Sequence, residues 1–348
     1  MNNVTLKMLA EELNMSPSTV SRALRDSHEI SQETKDRVKA LAAKLDFQPN
    51  PHASSLRKNK SRTIAVIIPE IQNNFFSQVM NGVEEVARQK GYHVLIYLTH
   101  EDHKRETDIL HLLRSGRVEG VMISVSNTTR SFEPLEAYCK EEIPLIFFDR
   151  VCENMDVPCI TTDDAGAAFK ATEHLLKAGC KKIAFLSMAG NLSISCGRKS
   201  GYVKALTKYG LSGNELVIEC GPDDETNRQK IRQLLESEQK PDGIFAAVEK
   251  FAVNTYEVSR ELDIKVPQHL KVISFSNLAA AALFNPPLST IVQPAYDMGR
   301  ESANILFKII DKKKLLSAEK KMVIQSHLII RESTTSKQYA KPSVLLKP

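Results

Sequence analysis

The chain reads as an α/β protein: a small three-helix head followed by a core of two parallel-sheet α/β lobes. Three observations carry that reading. Positive charge is concentrated at the N-terminus, where residues 1–62 hold 11 Lys+Arg against 7 Asp+Glu, while residues 63–348 hold 36 against 35. The hydrophobic period is helical over the first 48 residues and then alternates between β-branched runs and amphipathic stretches. The length, 348 residues, predicts two or three domains at roughly 100–200 residues each.

Composition narrows the class further. A hydrophobic fraction of 42% excludes bulk disorder. No apolar run approaches the ~20 residues of a membrane helix, and the longest, such as Ile143 to Phe148, are strand-sized. Glu11 and Glu12 interrupt any signal-peptide core, so a cytoplasmic protein is expected. The six cysteines lie 13, 7, 21, 16 and 24 residues apart, spacings that suggest neither a zinc clip nor a redox pair, so reduced thiols are expected. A basic head on a near-neutral body points to a polyanion, nucleic acid being the commonest.

In the head, Leu6, Leu9, Ala10 and Leu13 recur at helical spacing, with Thr5 as N-cap and Asn14 as terminator. Ser16 is the next N-cap, with Pro17 at the first helical position. That second helix turns Val20, Ala23 and Leu24 inward and shows Pro17, Ser18, Ser21, Arg22 and Arg25 outward. A third helix begins near Ser31 and buries Val38, Leu41, Ala42 and Leu45. Three short helices with a tight first turn form a helix-turn-helix unit, whose second helix is sized for the major groove. Ser18 and Arg22 can hydrogen-bond base edges there. A plain helical bundle with a solvated face fits the same pattern. Residues 49–61 read as a linker or as a segment that is helical only against a partner, because Asn50 to Lys58 is too short and polar to hold a helix alone. Within it Leu56, flanked by Arg57 and Lys58, has the form of a minor-groove wedge.

In the core, Thr63 to Pro69 is a continuous apolar strand, as expected when both faces are buried. Helix-like 75–90, strand 93–98, helix 104–115, strand 120–124, helix 133–140 and strand 145–148 follow. A second set opens with a helix from Asp164, then strand 182–186, helix 199–209, strand 216–220, helix 226–235, strand 243–247, helix 252–262 and strand 271–275. A last helix, 297–310, and a strand, 325–331, close the series. Strict alternation predicts parallel sheets with helices on both faces. So long a series predicts two lobes: lobe 1 over about 62–161 and 292–320, lobe 2 over about 162–291 and 321–335. Residues 336–348 read as a flexible tail.

Enzymatic signatures are missing from the sequence. It contains no phosphate loop, no strand-borne GxGxxG, no HExxH and no GxSxG. His100-Glu101-Asp102-His103 reads as a solvated loop, Asp163-Asp164 as a helix start, and Lys312 to Lys314 as a solvated turn. Neither a metal nor a cofactor is expected. Ligands of open parallel sheets sit beyond the strands' carboxyl ends, which singles out Asn73, Asn74, Phe75 and Phe76, then Ser124 and Ser126, Asp149 and Arg150, Arg198, and Ser276 and Asn277. Aromatic rings beside carboxylate, Arg and amide groups suit a hydroxyl-rich small molecule. An ion pair or loop caps would use the same residues.

Ordered motifs make a family visible. Val4-Thr5-Leu6, Ser18-Thr19-Val20-Ser21-Arg22-Ala23-Leu24, Phe47-Gln48-Pro49-Asn50 and Ala53-Ser54-Ser55-Leu56-Arg57 run through the head and linker. Asn73-Asn74-Phe75-Phe76, Arg117-Val118-Glu119-Gly120, Phe148-Asp149-Arg150, Pro286-Pro287-Leu288-Ser289-Thr290, Gln293-Pro294 and Met298-Gly299 run through the core. Over about residues 4–332 the chain resembles the LacI/GalR family of bacterial transcription regulators. The resemblance implies a periplasmic-binding-protein-like core with three crossover strands, a homodimer on a pseudo-palindromic double-stranded DNA operator, and allosteric control by a small molecule, carbohydrate or derivative, bound between the lobes. It implies a DNA-binding set of Thr5, Ser16, Pro17, Ser18, Thr19, Ser21, Arg22, Arg25, Asn50, Ala53, Leu56 and Arg57. The implied effector set is Asn73, Phe75, Phe76, Ser124, Asp149, Arg150, Arg198, Glu249, Ser276 and Gln293. Two departures bear on specificity. Val248-Glu249 stands where the family usually has Asn-Asp, and Ser276-Asn277 where it often has Asp-Asp. A different carbohydrate, an acidic or phosphorylated metabolite, or control by a partner protein all stay open on this reading.

Overall fold

The computed structural model describes residues 4–47, 61–129, 131–141, 143–188 and 192–335. It divides into a unit ending at Ser61 and a unit from Arg62 onward. The linker residues Asn50, Ala53, Leu56 and Arg57 and the tail 336–348 lie outside the described residues.

The first unit holds α1 (Leu6–Glu12), α2 (Pro17–Leu24) and α3 (Gln32–Lys44). Each is started by a hydroxyl: Thr5 Oγ1 accepts from Met8 N at 3.3 Å, Ser16 Oγ from Thr19 N at 3.1 Å, and Ser31 Oγ from Thr34 N at 3.3 Å. Such caps satisfy amides that a helix start leaves unpaired. Asn14 ends the first helix in a left-handed conformation, φ 50°, which Asn tolerates. Leu9, Ala10, Val20, Ala23, Val38 and Ala42 form the core, with Leu6, Leu13, Leu24, Leu41 and Leu45 packed around it.

The second unit contains two six-stranded sheets. Sheet 1 takes β1 (Thr63–Ile68), β2 (His93–Leu98), β3 (Val121–Ile123), β4 (Leu145–Phe148), β5 (Cys159–Thr162) and β11 (Lys321–Ile324), in the order β11-β5-β4-β3-β1-β2. All its pairings are parallel. Sheet 2 takes β6 (Ile183–Met188), β7 (Leu216–Cys220), β8 (Gly243–Ala246), β9 (Lys271–Phe275), β10 (Ser289–Val292) and β12 (His327–Ile329), in the order β12-β10-β9-β8-β6-β7. Only β12 runs antiparallel, against β10. The apolar run of β1 is explained by its alternation. Ile64, Val66 and Ile68 enter the cluster formed with α4 (Asn74–Gln89) and α11 (Ala295–Ile310), while Ala65 and Ile67 enter the one under α5 (His103–Leu113) and α6 (Glu133–Cys139). Lobe 2 repeats the plan with α7 (Asp164–Lys177), α8 (Ser193–Lys208), α9 (Asp224–Glu236) and α10 (Glu249–Glu261).

The chain passes between lobes after β5, after β10 and between β11 and β12. Here the expectation needs correcting. The expected strand 325–331 is the shorter His327–Ile329 of sheet 2, and a further strand, Lys321–Ile324, in a stretch expected in lobe 2, pairs with Cys159–Thr162 in lobe 1. Met322 and Ile324 pack on the lobe 1 core, so this pairing buries their apolar side chains. Helix α8 also begins six residues earlier than the expected Lys199, which places Arg198 in its second turn.

Close helix crossings fix each lobe. A Cβ on Gly82 of α4 would fall 2.2 Å from the Tyr296 carbonyl oxygen of α11, and one on Gly201 of α8 would fall 2.2 Å from the Ala165 carbonyl oxygen of α7.

Candidate functional site

The cleft between the two sheets gathers nine of the ten expected effector residues: Asn73, Phe75, Phe76, Asp149, Arg150, Arg198, Glu249, Ser276 and Gln293. Ile194, Val248, Phe275 and Asn277 complete its lining. Ser124 is fully buried and does not line it, the one member of the set left aside. The remaining space is about 40 Å³, well below the roughly 300–1,000 Å³ of clefts that enclose small ligands. The walls therefore lie close together, and their polar groups are largely spent on one another.

Lobe 1 contributes the ends of β1 and β4. Asn73 caps α4, its Oδ1 accepting from Phe75 N at 2.8 Å. Phe75 and Phe76 follow in the first turn and meet edge to face at 5.2 Å. Asp149 leaves β4 in a left-handed conformation, φ 59°, held by its amide donating to Ile160 O at 2.9 Å. Its carboxyl is enclosed, and burial pushes its pKa up to about 6 despite the nearby Arg150 and Arg198. Arg150 Nη1 donates to both oxygens of Glu101, at 2.8 and 2.9 Å. Its Nε is buried, has no hydrogen-bond partner among the described residues, and lies 3.9 Å from Asp149 Oδ2.

Lobe 2 supplies the second arginine. Arg198 Nε donates to Asp164 Oδ1 at 2.6 Å and Nη1 to the Ala247 carbonyl at 2.6 Å. Its guanidinium lies 3.8 Å from the centre of the Phe275 ring, a cation–π contact. Burial raises the Asp164 carboxyl even so, against the pull of Arg198. The two positions that depart from the family pattern bond each other: Ser276 Oγ donates to Glu249 Oε2 at 2.8 Å. Asn277 Nδ2 donates to Gln293 O at 2.7 Å and to Gln78 Oε1 of α4 at 3.1 Å, and its Oδ1 accepts from Gln293 N at 3.1 Å. Gln293 in turn donates to Thr162 Oγ1 at 3.1 Å.

Two expectations change. The His100 to His103 stretch is no free loop: Glu101 holds Arg150, and Asp102 caps α5 by accepting from Lys104 N at 2.8 Å. Asp163 is the helix cap expected of it, accepting from Gly166 N at 2.9 Å, but Asp164 is the partner of Arg198. Its acidic neighbour concealed that role in the sequence. Ile194 and Phe275 are apolar wall residues with no chemical signature to find.

In the head, Pro17, Ser18, Arg22 and Arg25 are exposed and Thr19 and Ser21 half-buried. Thr5 and Ser16 spend their hydroxyls as caps. Ser16 Oγ also lies 2.7 Å from Ser18 Oγ and 2.8 Å from Thr19 Oγ1. Arg22 Nη1 donates to Glu29 Oε2 at 2.8 Å in a pair exposed on both sides. Such pairs are weak, so a stronger anionic acceptor can take Arg22 from Glu29.

Comparison with known proteins agrees with both units. The family of periplasmic binding proteins and sugar binding domains of the LacI family matches residues 61–332, and the lacI family of bacterial regulatory proteins matches residues 5–50. The HTH-type transcriptional repressor CytR of Escherichia coli K12 is 30% identical over 334 residues, covering 95% of this chain and 96% of its own. Catabolite control protein A of Priestia megaterium is 28% identical over 312 residues, covering 89% and 93%. The crystal structure of the lac repressor dimer bound to operator and the anti-inducer ONPF matches with a TM-score of 0.85 at 22% identity, covering 96% of this chain and 100% of that one. A LacI transcriptional regulator from Alkaliphilus metalliredigens complexed with D-xylulofuranose matches with a TM-score of 0.69 at 26% identity, covering 79% and 100%. With a DNA-binding head and a sugar-binding-type core both matched, and a repressor 30% identical along 95% of this chain, the protein belongs to the LacI family of bacterial transcription regulators.

Proposed function

We propose that this protein is a homodimeric, effector-controlled regulator that binds a pseudo-palindromic operator and is no enzyme. The observation that carries the effector reading is the convergence of Phe76, Asp149, Arg150, Arg198, Glu249 and Gln293 in one cleft at the carboxyl ends of strands from both sheets. Those groups combine ring faces with hydrogen-bonding ends, the chemistry of a small hydroxyl-rich ligand. A cytoplasmic location follows from an operator partner.

The cleft's small volume adds a mechanism. A sugar-sized ligand enters only by parting walls that now bond each other across Asn277 and Gln78. Binding and lobe separation are then one event, and any difference in operator affinity between the two states couples effector and DNA reciprocally. A coupling of ~1–3 kcal/mol changes operator affinity about 5–150-fold. On DNA, Pro17, Ser18, Thr19, Ser21, Arg22 and Arg25 lie on or beside the helix that enters the major groove. Asn50, Ala53, Leu56 and Arg57 engage the minor groove, a role that rests on the sequence alone. Two-fold assembly is favoured by the edge strand β2, which leaves Leu95 40% and Ile96 43% exposed, a combination that invites a partner strand or face.

The test is a thermal-shift screen of the full chain against pentoses, hexoses, disaccharides and their derivatives. A ligand of the native state raises the melting temperature with concentration, and the same compound must change operator affinity. A folded protein that answers to none of them belongs instead to regulation by a partner protein.

A further inference from the structure

Charge in the cleft is distributed in a way that constrains what it binds. Both arginines are neutralised from within. Arg150 gives Nη1 to the two oxygens of Glu101, and Arg198 gives Nε to Asp164. Neither Glu101 nor Asp164 lines the cleft, so each acts on the ligand only through its arginine. The cleft lining adds two further carboxylates, Asp149 and Glu249, so the two arginines meet four carboxylates in all. Asp149 lies 3.9 Å from Arg150 Nε, too far for a hydrogen bond, and has the neutral Gln293 side chain as its hydrogen-bonding neighbour, while among the described residues Glu249 accepts from the neutral Ser276 hydroxyl. The surplus facing a ligand is therefore negative. One donor remains unanswered: Arg150 Nε, on a side chain only 7% exposed, has no acceptor among the described residues.

We propose that the cleft takes a neutral or amine-bearing polyhydroxyl compound, and that Glu101 is the specificity residue that closes it to anions. The inference rests on the effector reading of the cleft. A neutral hydroxyl oxygen satisfies Arg150 Nε while its hydrogen meets Asp149 or Glu249. A phosphate or carboxylate instead has to displace Glu101 from Arg150 in a site of low dielectric and then face two further carboxylates. Glu101 is held for this task by more than Arg150, because its Oε2 also accepts from Asn127 N at 2.7 Å and its carbonyl from Thr128 Oγ1 at 2.6 Å.

The experiment uses the full chain. Pentoses, hexoses and disaccharides are titrated in thermal shift and calorimetry beside their amino, phosphorylated and carboxylated counterparts at constant ionic strength. The expected result is binding by a parent or amino compound at least tenfold tighter than by its anionic counterpart. Inorganic phosphate is the second probe. It raises the melting temperature of Glu101→Gln in a concentration-dependent way, leaves the wild type no more stable than chloride does, and loses its effect in Glu101→Gln combined with Arg150→Met. A phosphate effect that survives that combination lies elsewhere in the chain, and with no Arg150-dependent effect it refutes the role of Glu101. An anionic compound that outbinds its neutral parent in the wild type overturns the inference alone. A folded protein that binds no compound of any charge overturns the effector reading and this inference with it. If Glu101→Gln does not fold, the wild-type titrations decide.

Discussion

In lobe 1 the cleft arginine is held by a carboxylate that remains 33% exposed; in lobe 2 it is held by one that is 10% exposed. Glu101 can meet water at the rim if the bond breaks, although Arg150, 7% exposed, cannot. Neither Arg198 nor Asp164 can, and Arg198 holds a carbonyl at 2.6 Å and a ring at 3.8 Å where Arg150 has a carbonyl at 3.5 Å and a ring at 6.0 Å. The two carboxylates that line the cleft differ in the opposite sense. Asp149 in lobe 1 is enclosed and left-handed, whereas Glu249 in lobe 2 is half-exposed and bonded to a hydroxyl. Lobe 1 thus concentrates its electrostatic cost at the group that would meet the ligand. Lobe 2 spends its charge on holding its own wall.

The comparison is tested most severely by deleting each arginine at near-constant volume. Arg198→Met leaves Asp164 buried without its cation, a loss of ~3–5 kcal/mol for a broken interior pair. Arg150→Met leaves Glu101 in contact with water, and the enclosed Asp149 that loses its neighbouring cation can take a proton, so the loss should be smaller, ~1–3 kcal/mol. Urea unfolding of the two variants measures both, and equal losses would refute the difference between the walls. The Arg198→Met deficit shrinks as pH falls, because an unpaired buried Asp164, already raised by burial, relieves its cost by taking a proton.

Asp149 gives the next largest effect, of opposite sign. Its folded pKa of about 6 lies above the ordinary 3.8, so ionisation is penalised in the folded state. The penalty is absent below about pH 4, grows between pH 4 and 6, and is complete above 6. About two units correspond to ~2–3 kcal/mol. Asp149→Asn removes the penalty and keeps a residue that accepts positive φ. It should be more stable than the wild type by about that amount at pH 7, with the advantage gone at pH 4, and should bind the effector more weakly. A pH-independent difference in melting temperature would refute the assignment of this cost to Asp149.

How much of this was legible in the sequence depends on range. The bounds of β2, β4, β7 and β9 follow from local apolar and β-branched runs and match residue for residue. The strands Cys159–Thr162, Ser289–Val292 and Lys321–Ile324 escape because they are short and interrupted by polar residues, unlike the wholly apolar β4, and exist only through distant pairing. The start of α8 escapes for a related reason. Leu192 offers no side-chain cap, and Gly197 before the expected start reads as loop. Within the site, the residues that line the cleft stand out because strand ends mark them. Glu101 and Asp164 do not, since their function lies in pairing with residues 49 and 34 positions away.

The smallest of the three effects bears on the seam where the walls meet. Where the family often has a second aspartate, this chain has Asn277, and only an amide can do what Asn277 does. Its Nδ2 donates twice, to Gln293 O and Gln78 Oε1, while its Oδ1 accepts from Gln293 N. A carboxylate at 277 can still accept but cannot donate, and it would face two acceptor oxygens. Asn277→Asp should therefore cost ~1–2 kcal/mol, as expected for two lost bonds partly replaced by water. It should also favour the parted state, since the bond to Gln78 joins the lobes and an opened cleft lets the carboxylate be hydrated. The expected signature is a lower melting temperature with tighter effector binding, because a ligand that needs the walls apart has only the longer bond from Gln78 Nε2 to the residue-277 carbonyl, 3.5 Å, left to break. A lower melting temperature with unchanged affinity would make Asn277 a buttress of lobe 2 alone and leave the lobes free to part without it.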